Sequence, residues 1–173
     1  MTPAEIKTLI ADVPDFPKPG IVFKDITPLL ENPAAFRAAI EQLAQRCEEL
    51  QADSILAIES RGFIFGAALA QRLALPLELV RKRGKLPRRS LSVSYELEYG
   101  VDHLEIHEDA LKRGGRYLIV DDVIATGGTA AAVAELVTRQ GGEVAACVFL
   151  IELTFLPGRA KLGDRKIVSL ISY

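Results

Sequence analysis

Residues 117–130 read YLIVDDVIATGGTA: an apolar run ends in two carboxylates, Asp121 and Asp122, and passes into Ala125, Thr126, Gly127, Gly128 and Thr129. Arg116 to Asp122 has the composition of a buried strand, and Gly127 to Gln140 carries a helical pattern. A strand that turns through glycines into a helix is an anion-binding layout. Glycine lets backbone N–H groups approach a phosphate closely, the threonine hydroxyls add donors, and the helix directs its positive end at the ligand. Ala125 to Thr129 is therefore expected to hold a phosphomonoester. Asp121 and Asp122 fall where a sugar on that phosphate places its hydroxyls; aspartates capping a helix would give a similar pattern. The chain has neither the lysine-bearing P-loop nor G-x-G-x-x-G, which counts against nucleoside triphosphatases and dehydrogenases.

Outward from this loop, strands and helices alternate. Ser54 to Ile58 reads as an apolar strand, Gly62 to Leu73 as a helix and Leu77 to Val80 as a strand, with further strands at Glu143 to Glu152 and Lys166 to Ser172. This is the rhythm of an α/β protein with a mainly parallel twisted sheet flanked by helices. Leu91 to Leu97 and Val101 to His107 alternate apolar and polar residues around Gly100, which predicts an antiparallel flap. Near the N-terminus, Thr2-Pro3-Ala4-Glu5 pairs a cap hydroxyl with a proline and a glutamate three residues on, so a short helix starts there. Asn32-Pro33 opens another, with Phe36, Ile40, Leu43, Ala44 and Cys47 as its buried stripe. Between them, three prolines make Pro14 to Gly20 a rigid loop.

A chain of 173 residues suits one compact domain, and no repeat, linker or low-complexity tract divides it. With 21 basic and 23 acidic residues the formal charge is −2, so any anion site must be local and no broad field attracts nucleic acid. No apolar run approaches a membrane span and no leader-like stretch precedes the first helix, which predicts a cytoplasmic protein. Cys47 and Cys147 sit in apolar surroundings without metal or redox spacing, and read as buried thiols.

The stretch from Asp121 to Thr129 resembles the phosphoribosyl pyrophosphate (PRPP) signature of the type I phosphoribosyltransferases. That likeness implies the family's fold, with an N-terminal hood and a flap. It also implies that Ala125, Thr126, Gly127, Gly128 and Thr129 bind the 5-phosphate while Asp121 and Asp122 bind the ribose. Four further segments are similar to the family's adenine-using branch: PDFPKPGIVFKDITPLL from Pro14, ESRGFIFG from Glu59, VRKRGKLP from Val80 and SYELEYGVDHLEIH from Ser94. They place the helix and hood in residues 1–30 and a basic loop and flap in 82–107 of a single domain, 1–173. The implied activity is transfer of ribose 5-phosphate from PRPP to N9 of adenine, with Mg2+ bound through PRPP and water near Asp121 and Asp122.

By composition, Ile21, Val22, Phe23 and Ile26 read as core packing; the resemblance instead sets Val22 and Phe23 against adenine, with Val123 on its other face. Glu59-Ser60-Arg61-Gly62 follows a strand and precedes a helix, a second place for an anion. The resemblance makes Ser60 and Arg61 pyrophosphate contacts and often brings a non-proline cis peptide here; unaided, Arg61 reads equally as a surface arginine. Arg81 to Arg89 holds six cations in nine residues, which by itself reads as a solvated loop or a nucleic-acid patch. The family assigns Arg81 and Lys85 to the pyrophosphate, Arg81 near a partner subunit's site, and so implies a homodimer. Arg88-Arg89 departs from the glycine that many relatives have after the Pro87 position. Glu98, in the flap beside Tyr99, is assigned to proton handling at the purine. His103 and His107 lack metal spacing and belong to a polar strand face. The alternatives are a phosphoribosyltransferase for another purine, or a PRPP-sensing regulator without activity.

Overall fold

The computed structural model describes residues 1–97 and 100–173, so Glu98 and Tyr99 lie outside the described residues. The chain runs α1 (Pro3–Lys7), β1 (Ala11–Pro14), β2 (Val22–Asp25), α2 (Thr27–Leu30), α3 (Pro33–Cys47) and a short 3-10 turn (Glu48–Leu50). It continues with β3 (Ser54–Ile58), α4 (Gly62–Leu73), β4 (Leu77–Lys82), β5 (Ser90–Leu97), β6 (Gly100–His107) and β7 (Arg116–Ile124). The last elements are α5 (Gly128–Arg139), β8 (Glu143–Glu152), α6 (Gly158–Leu162) and β9 (Ile167–Ser172).

Seven strands form one sheet in the order β5-β6-β4-β3-β7-β8-β9. β4, β3, β7, β8 and β9 are parallel, and β6 joins β4 and β5 antiparallel, as the alternating pattern around Gly100 predicts. Period-two alternation sorts the strand side chains to two faces. Ile55, Leu118 and Val120 point to one core with α3 and α4; Leu56, Ile58, Ile119 and Phe149 point to the other, with α5. Cys47 and Cys147 are both buried, and desolvation pushes their thiols up to about 11 and about 12, the inert condition expected of them.

From β3 the chain crosses to β4 on one side, and from β7 it crosses to β8 on the other. The carboxyl ends of β3 and β7 therefore flank a topological switch point, where a crevice opens because the two connections diverge.

The N-terminal caps form as predicted: Thr2 and Glu5 make a reciprocal capping box, and the Asn32 side chain accepts from Ala35 N. Several boundaries differ from expectation, three of them near the site. Pro14 is not loop but the end of β1, opposite Val22; a two-stranded ribbon has free edges, so its missing N–H is tolerated there. β4 extends through Arg81 and Lys82, which pair with Glu105 and Leu104, so the basic stretch begins in a strand. α5 starts at Gly128 because Gly127 has a left-handed φ of 79°. Phe36 is only half-buried and meets Phe65 edge-on at 5.8 Å. α2 and α6, of 4 and 5 residues, are too short to give a periodic signal.

Candidate active site

The turn between β7 and α5 is shaped by close backbone approach. A Cβ on Gly127 would lie 2.5 Å from the Gly158 carbonyl oxygen, so the loop rests directly on the start of α6. That helix is itself held: Arg159 donates two bonds of 2.8 Å to Glu152, and the Ser169 hydroxyl donates a third at 2.7 Å. Arg159 keeps the buried Glu152 carboxyl below its ordinary range. The loop lines a pocket of about 90 Å3, with Val123 and Asp121 in its wall. The size and the N-terminus of α5 suit one phosphate group.

Asp121 also belongs to a larger cleft of about 300 Å3, lined by Glu59, Ser60, Arg61, Lys82, Lys85, Asp121 and Asp122. The Glu59–Ser60 peptide in its floor is cis. Gly62, two residues past Ser60, lets α4 approach β7: a Cβ there would sit 2.8 Å from Val120 O and 3.0 Å from Asp121 Oδ1. Arg61 Nε donates to Asp122 Oδ2 at 2.5 Å. Burial and the adjacent Asp122 carboxylate push the Asp121 carboxyl well above its ordinary range. An electropositive ligand placed between the two acids would relieve that repulsion.

The cationic side is organised by a carboxylate that the sequence reading left without a role. Glu59 accepts from Lys85 Nζ and, at 2.9 Å, from the Lys82 N–H, while Arg81 Nε stands 3.5 Å away. Burial opposes its charge, but these cations and the N–H outweigh it and hold the carboxyl below its usual range. Arg81 also donates to the Lys85 carbonyl at 3.1 Å. Arg81 and Lys85 are thus brought together against one acid.

The hood reaches the same place. The Arg61 guanidinium lies 5.1 Å from the centroid of the Phe23 ring, and Phe16 meets Phe23 edge-on at 5.2 Å. Arg61 is therefore a link between hood and carboxylate, not an isolated surface arginine. Ile26 is core, as composition suggests, but Ile21 and Val22 are 37% and 48% exposed. Pro14 has no N–H, so the carbonyl of Val22 receives no bond from its register partner's nitrogen.

The structure gathers Asp121, Asp122, Ser60, Arg61 and Lys85 around one cleft, and Val123 with Ala125 to Thr129 around the adjoining pocket. Phe23 is joined to it through Arg61, and Val22 precedes Phe23 on β2. Sequence reasoning passed over Glu59, Lys82, Tyr95 and Asp102. A usable signal existed for Asp102, which shares the inward phase of Leu104 and Ile106 on β6; a carboxylate on a buried face calls for partners. His103 and His107 take the opposite phase, as expected.

Residues 25–168 match the phosphoribosyl transferase domain family. The chain is 57% identical over 169 residues to the adenine phosphoribosyltransferase of Carboxydothermus hydrogenoformans, covering 98% of this chain and 99% of that protein. The chain belongs to the adenine phosphoribosyltransferase family. The crystal structure of the family member from Thermoanaerobacter pseudethanolicus agrees in fold with a TM-score of 0.96 at 55% identity, covering 99% of this chain and 100% of that one. The Saccharomyces cerevisiae adenine phosphoribosyltransferase, solved with D-2,5-dideoxy-2,5-imino-altritol 1,6-bisphosphate and adenine, gives a TM-score of 0.92 at 41% identity over 97% of each chain. The type I phosphoribosyltransferase fold, with its mostly parallel sheet, is thereby established for this chain.

Proposed function

We infer that this chain displaces pyrophosphate from PRPP with N9 of adenine, forming AMP. The observation that carries the reading is the convergence at one switch point of a phosphate-sized glycine loop, two adjacent carboxylates and a cationic cleft, with a hood aromatic joined to them through Arg61.

The 5-phosphate binds the N–H groups of Ala125 to Thr129, and Asp121 and Asp122 accept from the ribose hydroxyls. Pyrophosphate lies in the larger cleft, facing Ser60, Arg61 and Lys85. As the C1–O bond breaks, negative charge grows on pyrophosphate and positive charge on the sugar; the cations stabilise the first and the acidic pair the second. Adenine sits between Phe23 and Val123. Glu98 handles the purine proton, and the flap with Tyr99 excludes water.

Among the described residues no three metal-ligating side chains form a cage. The acidic pair nonetheless fits Mg2+ carried in by PRPP oxygens and water, because Asp121 and Asp122 present oxygen donors in the wall of the cleft. When bound, Mg2+ would neutralise part of the charge on the leaving group. Arg81 near the neighbouring subunit's site is the arrangement expected in a homodimer, and exposed Ile64 and Leu79 on adjoining α4 and β4 supply apolar surface for it.

Base choice tests the hood. Adenine offers an amino donor and a ring-nitrogen acceptor that match the Val22 carbonyl and N–H; hypoxanthine reverses both. Two unpaired groups in a desolvated site cost on the order of 1–3 kcal/mol each, so adenine should exceed hypoxanthine in kcat/KM by about a hundredfold or more. Val22→Ala should keep that ratio within about tenfold, and Val22→Pro should collapse it by removing the N–H. Competition between the two bases at saturating PRPP reads it; equal use would move the chain to another purine.

A further inference from the structure

Tyr95 on β5 and Asp102 on β6 are register partners on the inward face of the hairpin. The Tyr95 hydroxyl donates to Asp102 Oδ2 at 3.2 Å, and Lys82 Nζ donates to the same oxygen at 2.8 Å. The other oxygen, Oδ1, accepts the His103 N–H at 2.8 Å, so the carboxylate is oriented by its own strand. A Cβ placed on Gly128 would lie 3.9 Å from Tyr95 Cδ2 and 3.8 Å from Glu96 O, so this part of β5 rests on the phosphate loop.

These contacts form one line: Gly128 in the phosphate loop, Tyr95, Asp102, and Lys82 in the wall of the larger cleft. Its two ends belong to the two anion sites. Lys82 is half exposed, with 53% of its side chain open, and a lysine stem is flexible; Asp102, at 24%, is the more enclosed partner and fixes where the ammonium stands. The side chain of Asp102 touches neither site directly.

We propose that Asp102 is a positioning residue for PRPP, acting through Lys82 and Tyr95 to hold the leaving-group cleft and the phosphate loop at one fixed spacing. Resting on the transfer reaction inferred above, the proposal adds a determinant of PRPP capture that lies outside the acidic pair, the glycine loop and the Lys85 cluster. Its consequence is selective: the substrate that spans both sites depends on Asp102, while the base, held by the hood, does not.

Asp102→Asn keeps the side-chain volume and removes the charge. It should raise KM for PRPP by about tenfold, leave KM for adenine within about twofold, and leave thermal unfolding little changed. Tyr95→Phe, which deletes only the hydroxyl, should raise KM for PRPP by about threefold or more in the same selective way. In a Lys82→Gln background, Asp102→Asn should add only about threefold, the share carried through Tyr95, because one of the two groups it orients is gone. Unchanged PRPP kinetics in both single variants, an equal rise in KM for both substrates, or full multiplicative effects in the Lys82→Gln background would overturn the proposal. If Asp102→Asn does not fold, Tyr95→Phe with its KM split decides alone. Failure of the native chain to make AMP would instead count against the transfer reaction itself.

Discussion

Replacing Asp121 and Asp122 together by asparagine is expected to lower kcat/KM for PRPP by about a hundredfold or more while leaving the fold intact. Each carboxylate offers charge-assisted acceptors to the ribose and a negative field to the developing sugar cation, and neutral amides supply neither; a loss of about 3 kcal/mol corresponds to that factor. Stability should change little. Arg61, which loses its ion pair, is 44% exposed and remains hydrated, so no buried charge is stranded. The substitution also removes a carboxyl that burial, and then the neighbouring Asp122 charge, push upward. Steady-state PRPP kinetics beside a thermal melt would check this; native kinetics in the double variant would remove the acidic pair from the mechanism.

Gly127→Val should be more damaging still. The backbone there has φ 79°, which a β-branched residue does not adopt without strain, and the added Cβ would fall 2.5 Å from Gly158 O. Gly158 cannot yield easily, because its helix is tied down through Arg159 and the buried Glu152. The loop must open, and its N–H groups then no longer converge. We expect a loss of about a thousandfold or more in kcat/KM for PRPP and a fall in the melting temperature of several degrees, at about 2–4 °C per kcal/mol for a chain of this size. PRPP titration and a melting curve together would check it, and native affinity would show that the loop does not need this conformation.

The strands and helices were legible where periodicity ran long enough. β3, α4 and β8 fall where the apolar pattern puts them, because each is a buried element with one consistent rule. The phosphate loop and acidic pair were legible for a different reason, since glycines and carboxylates at the end of an apolar strand have few purposes. What the sequence concealed depends on contacts between distant segments. Glu59 gains its place from Lys85 and Arg81, more than twenty residues on, and α6 matters only because Gly158 carries the loop beneath it. Neither relation leaves a local pattern. Arg61 was ambiguous on its own strand-to-helix turn, and it took both Asp122 and Phe23 to give it a position. Asp102 was readable in principle from its inward phase, yet its partners Lys82 and Tyr95 come from two other strands.

The central claim is that one site holds PRPP and adenine together and joins them at N9. Incubating the protein with labelled adenine, PRPP and Mg2+ and separating the products tests it most directly. The account predicts labelled AMP and pyrophosphate in equal amounts, with little product when hypoxanthine replaces adenine. Pyrophosphate without AMP, or no consumption of PRPP at all, would contradict it.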